Sequence, residues 1–246
     1  MNHSLNGRVA LVTGGAVRIG RAIALELAGH GCGIVVHYRR SAGPAAELCR
    51  VLERMGVPAW RVKADLSTAA GCGQLIADAR EKAGRLDLLV NNAAVFHKQR
   101  LLDITEQALR VEFDTNLFAP ILLTRAFAKA ARRGRIINLL DRRVAGHDPS
   151  CIPYLLTKKA LAAFTTSAAL ALAPRFTVNA VAPGPVLPPP GRGADYLRDH
   201  AGRIPLGRPV PPEEVARAVA YLAQASAVTG QVLYVDGGQH LLGEGV

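Results

Sequence analysis

The sequence predicts an α/β fold: a doubly wound, seven-stranded parallel sheet with helices on both faces, in a single domain. Two patterns carry this expectation. Seven short runs are mostly apolar throughout rather than alternating, which fits strands buried on both faces. Between them lie segments of helical composition and periodicity, the alternation that right-handed crossovers produce. At 246 residues, half of them hydrophobic, the chain suits one large domain better than two small ones.

In chain order, the first strand, Arg8 to Val12, enters a glycine turn, Thr13 to Gly20, followed by a helix over Arg21 to Gly29. The second strand, Ile34 to His37, precedes a helix over Ala45 to Met55, and the third, Ala59 to Lys63, precedes one over Ala69 to Ala83. Leu86 to Val90 reads as the fourth strand, with the next helix over Phe118 to Ala131. Arg135 to Leu139, a helix over Pro153 to Leu172, and Phe176 to Val181 follow. Ala182 to Pro212 is irregular and rich in Pro, Gly and Arg, and reads as a mobile cover over the site, a substrate loop at about 182–212. A helix over Pro212 to Ala223 and a strand over Val232 to Val235 close the fold, and neither repeat nor linker interrupts it.

The net charge of +11 raises nucleic acid as a partner, but the arginines are scattered along the chain and aromatics make up only 5%. A solvated basic surface is the expectation, with no nucleic acid and no membrane partner. The N-terminus goes straight from Val9–Val12 into the glycine turn, without signal-peptide features, and no run reads as long enough to cross a bilayer. Cys32, Cys49, Cys72 and Cys151 lack paired or metal-ligand spacing, so they read as reduced thiols in a cytoplasmic protein with no metal site.

The glycine turn follows a strand and precedes a helix, the context in which such a loop cradles a pyrophosphate. Gly14, Arg18, Ile19 and Gly20 are its candidate contacts. After the second strand comes His37-Tyr38-Arg39-Arg40-Ser41, where a carboxylate would favour NADH. Arg40 and Ser41 instead suit a 2'-phosphate, so NADPH is the expected cofactor. Asp65 and Leu66, after the third strand, are candidates for the adenine end, with Asp65 equally readable as a helix cap. Asn91-Asn92-Ala93 closes the fourth strand, where Asn91 and Ala93 would border the nicotinamide half.

Tyr154 and Lys158 stand four residues apart on one helix face, and Asp141 precedes the tyrosine by thirteen. A neighbouring ammonium would lower the phenol's pKa and make it a usable proton donor. Asp141, as a carboxylate, accepts hydrogen bonds and repels a ketone oxygen, unless it merely pairs with Arg142 or Arg143. His97 and His147 lack ligand spacing and read as loop residues.

These motifs together resemble the short-chain dehydrogenase/reductase family over nearly the whole chain. TGGAVRIG stands where the family has TGxxxGxG; NNA, Asn116, YLLTK, Pro183-Gly184 and Asp236-Gly237-Gly238 follow in order. The resemblance implies a Rossmann fold, cofactor contacts from Pro183 and Gly184, a catalytic role for Asn116 (a water held beside Lys158, or else an irregular helix turn stabilised by its amide) and a homotetramer. Two departures, Arg18 for the middle glycine and Asp141 for the usual serine, are similar to the pteridine reductases. Phe96 matches the aromatic with which that subgroup stacks a pterin, whereas Ala94 and Pro185 to Pro190 do not match its pattern. The implied activity is NADPH-dependent reduction of a C=N bond in a dihydropterin or dihydrofolate-like ring, with Arg18, Phe96, Asp141 and Tyr154 on the substrate. Reduction of a ketone or 3-oxoacyl group, and a non-catalytic dinucleotide sensor, remain the alternatives.

Overall fold

The computed structural model describes residues 4–189, 191–193 and 195–243. Its strands are β1 (Val9–Val12), β2 (Gly33–Tyr38), β3 (Ala59–Lys63), β4 (Leu88–Asn91), β5 (Gly134–Leu139), β6 (Phe176–Pro183) and β7 (Val232–Val235). All neighbours pair in parallel in the order β3-β2-β1-β4-β5-β6-β7, the doubly wound sheet expected. The chain reverses its winding between β1 and β4, and ligands of such sheets bind at that switch, beyond the carboxyl ends of the strands. Val12 pairs with both Val36 and Val90, so the glycine turn, His37 and the two asparagines emerge side by side.

Alternate residues of β1 face opposite layers. Ala10 and Val12 pack with α1 (Arg18–Gly29), α2 (Ala42–Arg54) and α8 (Pro212–Gln224), where Leu27, Leu52 and Val219 are fully buried. Val9 and Leu11 pack with α3 (Ala69–Ala83), α5 (Ala119–Ala130) and α6 (Ile152–Leu172), around Leu75, Phe127 and Ile136. Each buried aliphatic side chain of this kind contributes roughly 1.5–3 kcal/mol, so two such layers hold the sheet as a rigid base for its loops.

Three stretches differ from the sequence-based expectation. Between β4 and α5 lies a further helix, α4 (Glu106–Phe113), capped by Thr105 Oγ1 on Ala108 N–H, and continued by a π turn over Asp114–Phe118. The cover contains a helix, α7 (Asp195–His200), and β6 runs on to Pro183; Pro190 and Ala194 lie outside the described residues. Helix α6 has 21 residues at a mean hydropathy of 1.2, long and apolar enough to cross a bilayer, against the expectation that no run is. It packs along β6 and carries Tyr154, Thr157, Lys158 and Thr165 in buried positions, as a core helix does. All four cysteines are buried free thiols, and the described residues hold no cluster able to ligate a metal.

Candidate active site

The dinucleotide end is built from the turn after β1. Gly14 has a φ of +60°, and a Cβ at Gly20 would lie 2.2 Å from the Gly14 carbonyl oxygen, so neither position tolerates a side chain. Arg18 also sits in the left-handed region, at φ +54°, which costs a non-glycine residue about 1–2 kcal/mol. The side chain justifies the strain locally: its Nη2 donates to the carbonyls of Leu187 and Pro188, 3.3 and 2.9 Å away, and pins the cover onto the turn. Thr13 Oγ1 accepts the amides of Asn92 and Ala93, and Asn92 Nδ2 donates to the carbonyls of Thr13 and Gly14, tying β1 to β4.

His37, almost fully buried, props the turn from below. Its Nδ1 accepts the Gly14 amide at 3.0 Å, which places the proton on Nε2, facing the Ala64 carbonyl at 3.3 Å. Burial lowers its pKa to about 4, so the ring is neutral at physiological pH.

A cavity of about 360 Å³ opens over the turn, lined among others by Gly14, Arg18, Ile19, Gly20, Asp65, Leu66 and Ala93. A second hollow beside it is bordered by His37, Tyr38, Arg39, Arg40 and Ser41. The side-chain-free turn, a helix N-terminus and two arginines fit a phosphate-bearing dinucleotide. Arg39 is bridged to Asp65 at 2.9 Å, whereas Arg40 is exposed and has no ion pair among the described residues. Asp65 accepts the Ser67 amide and hydroxyl, which hold its carboxyl below the usual range; the cap of α3 is Thr68, not Asp65.

Asn91 and Gly184, two of the expected cofactor contacts, also serve the packing of the fold. The Asn91 side chain turns into the sheet and donates to Asn138 Oδ1 at 2.8 Å, so Asn92, one residue further, lines the cavity in its place. At Gly184, following Pro183, a Cβ would lie 2.8 Å from Asp236 Cα. Close packing against the turn after β7 thus accounts for that glycine.

The catalytic candidates converge at the carboxyl ends of β4 and β5. The Tyr154 hydroxyl donates to Asp141 Oδ2 at 3.1 Å, and Lys158 Nζ donates to the Leu139 carbonyl at 2.7 Å, 5.7 Å from the centre of the Tyr154 ring. The expectation that Lys158 lowers the phenol's pKa is overturned. Burial first, then the adjacent Asp141 carboxylate, raise it well above its ordinary value, against the nearby Arg143 cation; the Lys158 ammonium is engaged by a backbone oxygen rather than by the hydroxyl. Burial lowers Lys158 itself to about 8, against the opposing pull of Asp141 and Glu112.

Asp141 is also held by Arg143, whose Nη1 reaches Oδ2 at 3.1 Å and whose backbone N–H donates to Oδ1 at 2.9 Å. The same guanidinium donates through Nε to Asp148 at 2.9 Å and stands 5.7 Å from the Phe96 ring centre. Phe96, 44% exposed, meets the Tyr154 ring edge-on at 4.8 Å, so it borders the cleft instead of the core. Arg143 is the ion-pair partner that the alternative reading of Asp141 named; Asn92 and Glu112 are absent from the sequence-based set of site residues. The carboxylates on either side of Arg143, at Asp141 and Asp148, were the available signal for that pairing.

Asn116 is fully buried within the π turn. It accepts from the Val95 amide, donates to the Val95 carbonyl, and donates to Glu112 at 2.5 Å. These bonds tie the π turn to the segment after β4 and to the Glu112 carboxylate. Glu112, fully buried, has its pKa raised by burial, against hydrogen bonds from His97 and Asn116. His97 is therefore a partner of Glu112, at 2.9 Å, rather than an idle loop residue; His147 borders a small crevice with Arg142 and His240.

Comparisons with known proteins agree with this architecture. A family model described as enoyl-(acyl carrier protein) reductase matches residues 15–240. The 3-oxoacyl-[acyl-carrier-protein] reductase of Synechocystis sp. is 36% identical over 247 residues, covering 96% of this chain and 98% of the relative. L-2,3-butanediol dehydrogenase of Corynebacterium glutamicum is 35% identical, covering 94% of this chain and 98% of the relative. The crystal structure of FolM alternative dihydrofolate reductase 1 from Brucella canis, complexed with NADP, superimposes with a TM-score of 0.92 at 34% identity, over 98% of this chain and 97% of that one. The chain belongs to the short-chain dehydrogenase/reductase family of oxidoreductases.

Proposed function

We propose that this protein is an NADPH-dependent reductase of a C=N bond in a dihydropterin or dihydrofolate-like ring. The observation that carries the reading is the Asp141 carboxylate 3.1 Å from the Tyr154 hydroxyl, where it meets the substrate beside Phe96. A carboxylate fixed there accepts the N–H groups of a pterin and repels the oxygen of a simple ketone. The NADP-complexed Brucella relative, an alternative dihydrofolate reductase by name, supports the same substrate class.

NADPH, when bound, supplies the hydride. Gly14, Arg18, Ile19 and Gly20 would hold its pyrophosphate, Arg40 and Ser41 would hold the 2'-phosphate, and Asp65 and Leu66 would border the adenine. Tyr154 keeps its proton at neutral pH and delivers it toward the ring nitrogen, directly or through water. Lys158, anchored on Leu139, fixes the cationic side of the pocket, and Arg143 fixes the orientation of Asp141. Phe96 presents a flat face that orients a heterocycle. A homotetramer is part of the reading, supported by the apolar Leu156 and Leu170 exposed on α6.

The 3-oxoacyl reductase relatives favour a second reading, a carbonyl reductase. NADPH oxidation measured with dihydrobiopterin, dihydrofolate and a panel of small ketones and 3-oxoacyl thioesters separates the two. Turnover of the reduced pterins is expected; turnover of the carbonyl compounds alone would reject the pterin assignment.

A further inference from the structure

Arginines that are scattered along the sequence gather in space. Arg8, Arg80, Arg85, Arg132, Arg133, Arg135 and Arg175 line one open cavity of about 800 Å³. It lies at the amino ends of β1, β4, β5 and β6, the end of the sheet opposite Tyr154 and the glycine turn. A single carboxylate, Asp87, lines it with them, and Arg85 occupies both of its oxygens, at 2.8 and 2.5 Å. The other six arginines form no ion pair among the described residues.

One structural account is that the arginines complement helix dipoles, since the carboxyl ends of α3, α5, α6 and α8 all reach the rim, at Gly84, Ala131, Pro174 and Ser226. Each such end carries roughly half a negative charge, so four offset about two. After Asp87 is counted, six positive charges remain, which leaves about four uncompensated. Burial is not the reason for the cluster either. Five of the seven arginines are exposed; Arg8 and Arg135 are half-buried beside each other, Arg135 with its guanidinium on the Ala223 carbonyl. The fold's own charges therefore do not account for the surplus.

We propose that this cavity binds a small anion built on a chain of linked phosphates, free or as part of a nucleoside polyphosphate. Guanidinium forks match phosphate oxygens two at a time, and the cavity is concave, so several forks from separate elements converge on one ligand. A chain of three phosphates carries about four negative charges at neutral pH, which equals the surplus; a lone carboxylate meets only a quarter of it. An extended nucleic acid would need stacking platforms. The one aromatic lining the cavity, Phe176, is buried, with Arg175 placed 5.4 Å from its ring centre.

Calorimetric titration tests this with the dinucleotide end saturated by NADPH, using tripolyphosphate, ATP and orthophosphate as probes. Tripolyphosphate is expected to bind once per chain and at least tenfold more tightly than orthophosphate. ATP binding equally tightly assigns recognition to the phosphate chain alone, and tighter binding adds the nucleoside. The double variant Arg132→Gln/Arg133→Gln should weaken tripolyphosphate at least tenfold with NADPH affinity unchanged. Arg80→Gln/Arg175→Gln, one on α3 and one in the turn before β6, should do the same if the first pair fails to fold. Tripolyphosphate no tighter than orthophosphate, or insensitive to both pairs, would mean an adventitious ion only and overturn the proposal. Tight binding of a homopolymeric nucleic acid without binding of tripolyphosphate would overturn it as well.

Discussion

The guanidinium of Arg143 donates to the same oxygen of Asp141, Oδ2, that accepts the Tyr154 hydroxyl, while its Nε holds Asp148. One planar cation thus shares a carboxylate oxygen with the phenol and ties it to Asp148. Burial works against the charge, but Asp141 and Asp148 prevail and raise its pKa above the already high arginine value. A lysine has one ammonium and cannot serve both carboxylates in this geometry. Arg143→Lys should therefore behave nearly as Arg143→Gln: at least a tenfold fall in kcat/KM with the reduced pterin, carried largely by KM, and an unchanged NADPH dissociation constant. Full rescue by lysine would reduce Arg143 to a generic positive charge.

Tyr154 and Lys158 titrate in opposite senses from what a Tyr-Lys pair suggests. The phenol remains protonated through neutral pH, and the ammonium, lowered to about 8 by burial, loses its charge as pH rises through that value. Activity should therefore decline above pH 8. Folding stability should move the other way: between about 8 and 10.5 the unfolded chain binds more protons at this lysine than the native one does, so this group's contribution to stability rises with pH. Tyr154→Phe should lower turnover about 10²–10⁴-fold, the usual span for losing a positioned proton donor, without weakening NADPH. Steady-state pH profiles of the parent and of Lys158→Arg, whose charge persists, test the assignment; an alkaline limb near 8 that survives in Lys158→Arg belongs to another group.

How much of this was readable beforehand follows from the range of each interaction. The strands were readable because burial on both faces leaves an unbroken apolar run, as in Ile34 to Val36 and Ile136 to Ile137. Tyr154 and Asp141 were readable by spacing and Phe96 through the family resemblance, and the structure brings them together. Glu112 was not, because a fully buried carboxylate looks in sequence like any surface glutamate of a helix. Its partners, His97 and Asn116, come from two different segments, and the π turn that carries Asn116 has no composition of its own. Choosing Asn92 over Asn91 required the residue at which β4 ends, because adjacent strand positions face opposite ways. The arginine cavity was invisible for a similar reason: its members lie at or before the starts of four different strands, far apart in the chain.

Coenzyme choice should turn on Arg40, the exposed arginine of the hollow beside the glycine turn. Arg39 is already committed to Asp65, so Arg40 with Ser41 is the pair left for a 2'-phosphate. A charge-assisted hydrogen bond is worth roughly 1.5–3 kcal/mol. Arg40→Glu should weaken NADPH roughly 10–100-fold, and leave NADH unchanged or improved, measured by fluorescence titration of both coenzymes. Equal losses for the two would place the 2'-phosphate elsewhere.

His37 makes the glycine turn sensitive to acid. Its Nδ1 must stay unprotonated to accept the Gly14 amide, and burial lowers its pKa from 6.5 to about 4. Between those values the unfolded chain holds the proton that the native chain excludes, so stability rises with pH across the window and is lost as pH falls from 6.5 toward 4. The full shift corresponds to about 3 kcal/mol. Urea unfolding at several pH values should show the parent losing this much relative to His37→Asn, whose amide oxygen can still accept from Gly14 and does not titrate. NADPH affinity should weaken in the parent only as pH falls to about 4, where the native imidazole itself takes the proton, because a protonated imidazole turns a second donor toward the Gly14 amide and releases the turn. Parallel stability curves for the two proteins would show that His37 charges without disturbing the turn, and the coupling between its burial and the coenzyme loop would be wrong.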